Sequence, residues 1–200
     1  INPLPDQLEA AGAPARQLDL PLDPAGVRQV VICGMGGSAI SGDLLAALAG
    51  EASPVPVLVH RGYGLPASAS GPQTLVIALS HSGTTEETLS CARQAAERGA
   101  RLLAITSGGD LAPLAEGAGA AAWTFDYDAQ PRAALGWLYG LLLGAAARLR
   151  LVDDLAGEVA EAADAMRQLR ATLRPDSPSP QNPAKHLAGM LEGRVPVIWG

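Results

Sequence analysis

A short stretch beginning at Ala78, ALSHSGTTEETL, concentrates hydroxyl groups at the junction between an apolar run and a predicted helix. The loop residues of interest are Ser80, Ser82, Gly83, Thr84 and Thr85. The first N–H groups of a helix have no partner within it, and the helix dipole favours an anion beside them. Four short hydroxyls without a lysine or arginine suit an anion held by neutral hydrogen bonds. We interpret the stretch as a phosphate-binding loop; the alternative is that a hydroxyl caps the helix.

A second loop of unusual composition, GMGGS, lies at residues 34–38. Gly36 and Gly37 permit backbone conformations closed to other residues and let a ligand approach the main chain. Ser38 can cap the following helix or donate to a ligand oxygen. Both loops follow predicted strands, and ligands of parallel sheets bind beyond the carboxyl ends of the strands. We therefore expect the two loops to face one pocket.

Short apolar runs alternate with helical patterns and must position the two loops. The runs predict five strands, at Gln29–Cys33 and within PVPVLVHR, QTLVIALS, ARLLAIT and AAWTFDY. Helices are predicted from the glycine turn to about Ala49, at Thr85–Arg98 and at Leu111–Glu116, with at most a short one at Pro5–Ala11. Continuously apolar strands between helices indicate a parallel sheet covered on both faces. The predicted fold class is α/β, a three-layer sandwich around a five-stranded parallel sheet.

Further helices are predicted after the sheet. Pro131 fits the first position of a helix that is apolar on all sides. Glycines recur on one face of this helix, where they favour close packing, at Gly136, Gly140 and Gly144. An amphipathic helix at Val152–Leu173 precedes a linker, RPDSPSPQNP, a new helix, AKHLAGMLEG, and a strand, RVPVIWG. We predict one domain over residues 1–174 and the truncated start of a second α/β unit over residues 175–200.

Composition narrows the classes of function. The chain has 200 residues and a net charge of −6, which argues against a nucleic-acid surface. Cys33 and Cys91 lie in apolar contexts without a CxxC or Cys/His cluster, so neither a disulfide nor a zinc site is expected. The longest apolar run, Ala133–Ala147, is shorter than the roughly 20 residues of a membrane span. No secretory signal is visible at the front, and we expect a cytoplasmic, soluble protein.

The glycine loop also allows a different interpretation. GMGGSA satisfies the dinucleotide fingerprint G-x-G-x-x-A and follows a predicted strand. The next strand ends in His60 and Arg61, however, and an acidic residue is expected near the ribose hydroxyls. An arginine there could suit the phosphorylated cofactor, so an NADP-dependent oxidoreductase stays an alternative. That alternative gives no role to the serine loop.

Three stretches, GMGGSAISGD, SHSGTTEETL and QPRAALG, make the chain resemble a sugar isomerase (SIS) domain. The combination is most similar to the bifunctional phosphoglucose/phosphomannose isomerases of bacteria and archaea. The resemblance implies two SIS domains per full chain and a homodimer. It also implies reversible conversion of glucose 6-phosphate or mannose 6-phosphate to fructose 6-phosphate through a cis-enediolate, without a metal or redox cofactor.

The resemblance also implies roles for individual residues. Ser80, Ser82 and Thr85 match the phosphate-binding hydroxyls, and Gly36, Gly37 and Ser38 match the loop that contacts the sugar. Arg132 matches an arginine that stabilises the enediolate, and a fixed guanidinium helps most where negative charge develops on oxygen.

A positive charge in the first turn of a helix opposes the helix dipole, which favours a functional reason for Arg132. The catalytic glutamate and the ring-opening histidine of the family are expected beyond Gly200. A second alternative is a non-catalytic SIS sensor that binds a sugar phosphate.

Overall fold

The computed structural model describes residues 3–21, 23–50 and 52–197. Its centre is a five-stranded parallel sheet in the order β2-β1-β3-β4-β5. The strands are β1 (Gln29–Cys33), β2 (Val57–His60), β3 (Thr74–Ser80), β4 (Arg101–Thr106) and β5 (Ala121–Thr124). Each strand lies within a run predicted from the sequence, and the α/β fold class is confirmed.

Helices cover both faces of the sheet. The described residues form α1 (Leu4–Gln17), α2 (Gly36–Ala49), α3 (Glu86–Glu97), α4 (Leu111–Gly117), α5 (Leu135–Arg148), α6 (Ala156–Leu173) and α7 (Pro183–Leu191). Successive side chains of a strand point to opposite faces. Val30 and Ile32 therefore join a core with α1, α2 and α5, whereas Val31 and Cys33 join a second core with α3 and α4. The three-layer arrangement follows from this alternation.

The strand order places a switch point between β1 and β3. The chain leaves β1 to form β2 on one side of it and then crosses back to form β3 on the other. The connections after β1 and β3 therefore diverge, and such a reversal opens a crevice at the carboxyl ends of the two strands. The GMGGS loop follows β1 and the serine loop follows β3, so both predicted binding loops lie at this crevice.

The N-terminal helix is longer than predicted. α1 continues to Gln17, although the sequence indicated at most a short helix at Pro5–Ala11. Its buried face includes the small side chains of Ala11 and Ala15, which pack against α5. Small side chains give a weak apolar periodicity, and the sequence pattern therefore understated the helix.

The glycine-rich face of α5 packs closely, as predicted, and the element that it contacts is α1. A Cβ added at Gly136 or Gly140 would lie 2.6 Å from the Cβ of Gln7 or of Ala11, respectively. The prediction that Pro131 begins this helix is wrong. Residues 131–133 form a separate 3-10 turn, and the first α-helical hydrogen bond runs from Leu138 N–H to the Ala134 carbonyl.

The C-terminal region is ordered by its own polar contacts. The Asn182 amide donates to the Arg174 carbonyl at 3.0 Å, and Lys185 Nζ donates to the carbonyls of Pro175 and Ser177 at 2.6 and 2.7 Å. α6 and α7 confirm the two predicted helices. The predicted strand RVPVIWG is wrong over residues 194–197, which lie exposed and outside the sheet, and an isolated strand is not stable in water.

The last three residues of that stretch, 198–200, lie outside the described residues. Within the part of the chain that the structure describes, no helix combines the length and apolarity needed to cross a bilayer.

Candidate functional site

The serine loop is held by hydrogen bonds between its own residues. Ser80 Oγ accepts from Gly83 N–H at 3.0 Å and lies 2.9 Å from Thr85 Oγ1. The hydrogen bond between the two hydroxyls uses the proton of one of them, either Ser80 or Thr85. The proton of the other hydroxyl is not used by this bond. The pair therefore keeps one O–H that can be donated to a ligand. Ser80 is buried and Thr85 half-buried, so Thr85 presents the more accessible oxygen.

Ser82 is also left with a free proton. Its Oγ accepts from Thr84 N–H at 3.3 Å and from Thr84 Oγ1 at 3.1 Å. Both contacts use the lone pairs of Ser82, which is exposed, and its hydroxyl donates to no described residue. The Thr84 hydroxyl, in contrast, donates within the loop. Of the two, Ser82 is the better donor to an anion.

No side chain caps α3. Thr85 occupies the N-cap position in an extended conformation and makes no side-chain hydrogen bond to the first turn. The N–H groups of that turn remain unpaired within the helix and carry the positive end of its dipole. The capping alternative for the loop hydroxyls is thus wrong for α3, and the N–H groups of its first turn are available to an anion.

Gly83 is required by the way the loop packs on its neighbour. Its φ is +68°, and a Cβ added there would overlap the carbonyl of Gly108 in the loop after β4. The Gly83 carbonyl accepts from the N–H groups of Asp110 and Leu111, each at 3.1 Å. Ser107 Oγ donates to the His81 carbonyl at 2.5 Å. The loop after β4 therefore packs against the serine loop and holds its backbone through these hydrogen bonds.

The GMGGS loop brings backbone and one hydroxyl to the same edge. Gly36 has a φ of +51° and begins α2. A Cβ added at Gly34 would lie 3.1 Å from the Leu79 carbonyl, directly before Ser80, so the two binding loops are close neighbours. Ser38 is 7% exposed, and its hydroxyl makes no hydrogen bond with the described residues. The hydroxyl is therefore available to a ligand.

Arg132 lies beside the GMGGS loop. A Cβ added at Gly37 would lie 3.5 Å from the Arg132 Cα and 3.7 Å from the Pro131 carbonyl oxygen, so the turn that carries the arginine lies directly against Gly37. The Arg132 side chain is exposed and forms no ion pair or hydrogen bond within the described parts of the chain. An uncommitted guanidinium at this edge is free to face negative charge on a ligand.

His81 contacts the segment that follows β5. Its Nε2 is 3.0 Å from the Tyr127 carbonyl, and its ring lies 6.1 Å from the rings of both Phe125 and Tyr127. The residue is 9% exposed. His81 consequently joins the serine loop to the segment that leads from β5 to Arg132.

Comparison with known proteins identifies the family of this chain. Residues 25–128 match the family described as SIS domain, which is about half of the chain. The chain belongs to the SIS domain family. The matched region of this SIS domain contains both binding loops, whereas Arg132 lies outside it.

Relatives are similar to this chain over most of its length. A bifunctional phosphoglucose/phosphomannose isomerase of Caldicellulosiruptor bescii is 38% identical over 197 residues, which is 98% of this chain and 58% of that protein. One of Thermoplasma acidophilum is 36% identical over 172 residues, covering 86% of this chain and 49% of that protein. The chain thus spans about half the length of the curated relatives it matches.

A solved structure shares the fold. The tagatose-6-phosphate ketose/aldose isomerase of Escherichia coli superposes with a TM-score of 0.66 at 16% identity, covering 86% of this chain and 52% of that one. At this identity the likeness describes the architecture of the SIS domain alone.

Two features that hold the candidate site in place were not identified from the sequence. The TSGGD stretch at 106–110 follows a predicted strand and contains two glycines, which could have identified it as a third loop at the same edge. Gln7, which donates to the Ala133 carbonyl next to Arg132, offered no such signal because its partner is 126 residues away.

Proposed function

We propose that this chain is the phosphosugar-binding half of an isomerase that interconverts glucose 6-phosphate and mannose 6-phosphate with fructose 6-phosphate. The observation that carries the proposal is the uncapped first turn of α3 together with the free protons of Ser82 and the Ser80–Thr85 pair. A phosphate dianion placed there accepts from both hydroxyl groups and from the backbone N–H groups of the turn. The names of the relatives support a sugar phosphate as the ligand.

The sugar would extend from the serine loop toward the GMGGS loop. Gly36 and Gly37 allow close approach of the ligand, and the Ser38 hydroxyl has no competing partner. Arg132 borders the same loop. Moving a proton between C1 and C2 of the open-chain sugar puts negative charge on oxygen, and the guanidinium would stabilise the cis-enediolate at that stage.

The proton transfer itself needs a base near neutral pKa. We propose that this base and the group that assists ring opening come from a second SIS domain, of which residues 175–200 are the beginning, while residues 1–174 form the binding domain. The homodimer implied by the resemblance is part of the same proposal. In this scheme the residues described above bind, orient and stabilise charge, and they do not move the proton.

Calorimetric titration tests the binding step. We expect fructose 6-phosphate to bind and unphosphorylated fructose not to bind. Ser82→Ala should weaken binding roughly 5- to 150-fold, which corresponds to the roughly 1–3 kcal/mol of a hydrogen bond to a charged group. Ser70→Ala, an exposed serine outside the loop, is the matched control and should bind normally.

The other interpretations predict different results. A dinucleotide enzyme would bind NADPH, with a change in its fluorescence, and would be indifferent to Ser82→Ala. A sensor would bind fructose 6-phosphate, but the full-length protein would not convert it to an aldose phosphate. Binding of fructose as tight as that of its phosphate ester would contradict the phosphate site itself.

A further inference from the structure

Gln7 of α1 is bonded to the turn that carries Arg132. The side chain is 4% exposed, and its Nε2 donates to the Ala133 carbonyl at 3.0 Å. Ala133 directly follows Arg132, so this bond fixes the backbone next to the arginine. Neither Gln7 nor Arg132 lies in the segment 25–128 that defines the family match.

The same carbonyl lies at the boundary between the turn and α5. In a continuous helix the Ala133 carbonyl would accept an N–H from the next turn, and the helix would absorb Arg132 into its first turn. Here that carbonyl accepts from Gln7, and the α-helical hydrogen bonds begin only at the Ala134 carbonyl. Arg132 is consequently kept beside Gly37.

Gln7 buries an unpaired polar atom, which an apolar side chain at this position would not do. Gln7 Oε1 is buried and has no hydrogen-bond partner among the described residues. An unpaired buried acceptor is destabilising, and a methionine of similar length would pack without it. The donor to Ala133 is therefore the property of Gln7 that a methionine could not replace.

We propose that Gln7 is a positioning residue for Arg132, so that α1 forms part of the catalytic apparatus. The proposal rests on the function proposed above, because it assigns Arg132 to the enediolate. Gln7 touches no substrate; it acts by holding the 131–133 turn where the guanidinium meets the developing charge. A misplacement of about 1 Å can cost a catalytic group up to about 100-fold in rate.

The experiment uses the full-length protein and a double-mutant cycle. Gln7→Met removes the donor and keeps the volume, and Leu8→Ala on the same helix is the control that loosens packing only. We expect Gln7→Met to lower kcat for fructose 6-phosphate isomerisation about 10- to 100-fold with KM nearly unchanged, because the serine loop is intact. In the Arg132→Ala background, Gln7→Met should cause little further loss of kcat. The effects of Leu8→Ala and Arg132→Ala on kcat should instead be additive.

Hydrogen exchange provides a readout that does not depend on activity. The N–H groups of Ala133 and Ala134 donate to the Gln130 and Pro131 carbonyls, and their exchange reports the order of the turn. Gln7→Met should speed their exchange at least about tenfold and leave the amides of the serine loop unchanged.

The results distinguish a failure of the positioning role of Gln7 from a failure of the proposed isomerase function. Unchanged exchange in the turn, or additive effects of Gln7→Met and Arg132→Ala on kcat, would overturn the positioning role. If the wild-type protein does not isomerise sugar phosphates, the proposed function fails, and faster exchange in the turn would still show that Gln7 holds it.

Discussion

Replacing Gly140 with alanine tests whether the contact between α1 and α5 is as close as the structure indicates. The new Cβ would lie 2.6 Å from the Ala11 Cβ and 3.0 Å from the Leu8 carbonyl oxygen. Carbon atoms in contact are normally about 3.5–4.0 Å apart, so the helices would have to separate by about 1 Å. Overpacking of this kind costs about 1–3 kcal/mol, and the better helix propensity of alanine returns about 1 kcal/mol. We expect a net loss of up to about 2 kcal/mol in the free energy of unfolding.

The facing helix offers the matched control. Gly12 lies on α1 and lines a cavity of about 420 Å³ between α1, α5 and α6, and a Cβ added there meets nothing within 4 Å. Gly12→Ala should therefore stabilise the protein by about 0.5–1 kcal/mol. Urea unfolding followed by circular dichroism measures both variants under one condition. If Gly140→Ala proves as stable as Gly12→Ala, the close packing of the two helices is refuted.

Three further predictions concern the loop, the ion pairs and the thiols. Gly83→Ala, at φ +68° and against the Gly108 carbonyl, should abolish fructose 6-phosphate binding in calorimetry and cost at least about 1–2 kcal/mol of stability; normal binding would contradict the packing of the loop. Hydrogen bonds to Arg167 lower the pKa of Asp6 and of Glu9, so these carboxylates stabilise the fold above their ordinary pKa values of about 4 and lose that effect as the pH falls through the lowered values. The unfolding free energies of wild type and Arg167→Met should accordingly converge below about pH 4, and a constant difference down to pH 2 would exclude this role. The thiols of Cys33 and Cys91 should react with a thiol reagent only after unfolding, because both side chains are buried. A hydrogen bond between them raises the pKa of Cys33 and lowers that of Cys91, so Cys91 should be the first to react once the fold opens, and rapid labelling of the native protein would contradict the burial.

The sheet was predictable because each strand is a continuous apolar run between polar or glycine-rich turns. β1 has the predicted bounds, Gln29–Cys33, and the sites at the ends of β1 and β3 follow from the general geometry of parallel sheets. α1 was underestimated because alanines form much of its buried face, and alanine is equally common on exposed helix faces. Local propensity therefore carried little information on where α1 ends.

The separate turn around Arg132 was not predictable for a different reason. Pro131 and the apolar residues after it are typical of a helix start, and nothing nearby in sequence interrupts the pattern. The interruption coincides with the hydrogen bond from Gln7 to Ala133, which depends on the packing of α1 against α5. A contact across 126 residues becomes visible only when the tertiary structure is known.

The divergence of the two binding loops has a consequence for stability. The GMGGS loop enters α2 and its core on one face of the sheet, and the serine loop enters α3 and its core on the other face. A sugar phosphate held by both loops would therefore connect the two outer layers directly at the sheet edge. At a ligand concentration 100 times the dissociation constant, binding would add about 2.7 kcal/mol to the free energy of unfolding. The ligand would in this way act as a cross-link between two helical layers that lie on opposite faces of the sheet.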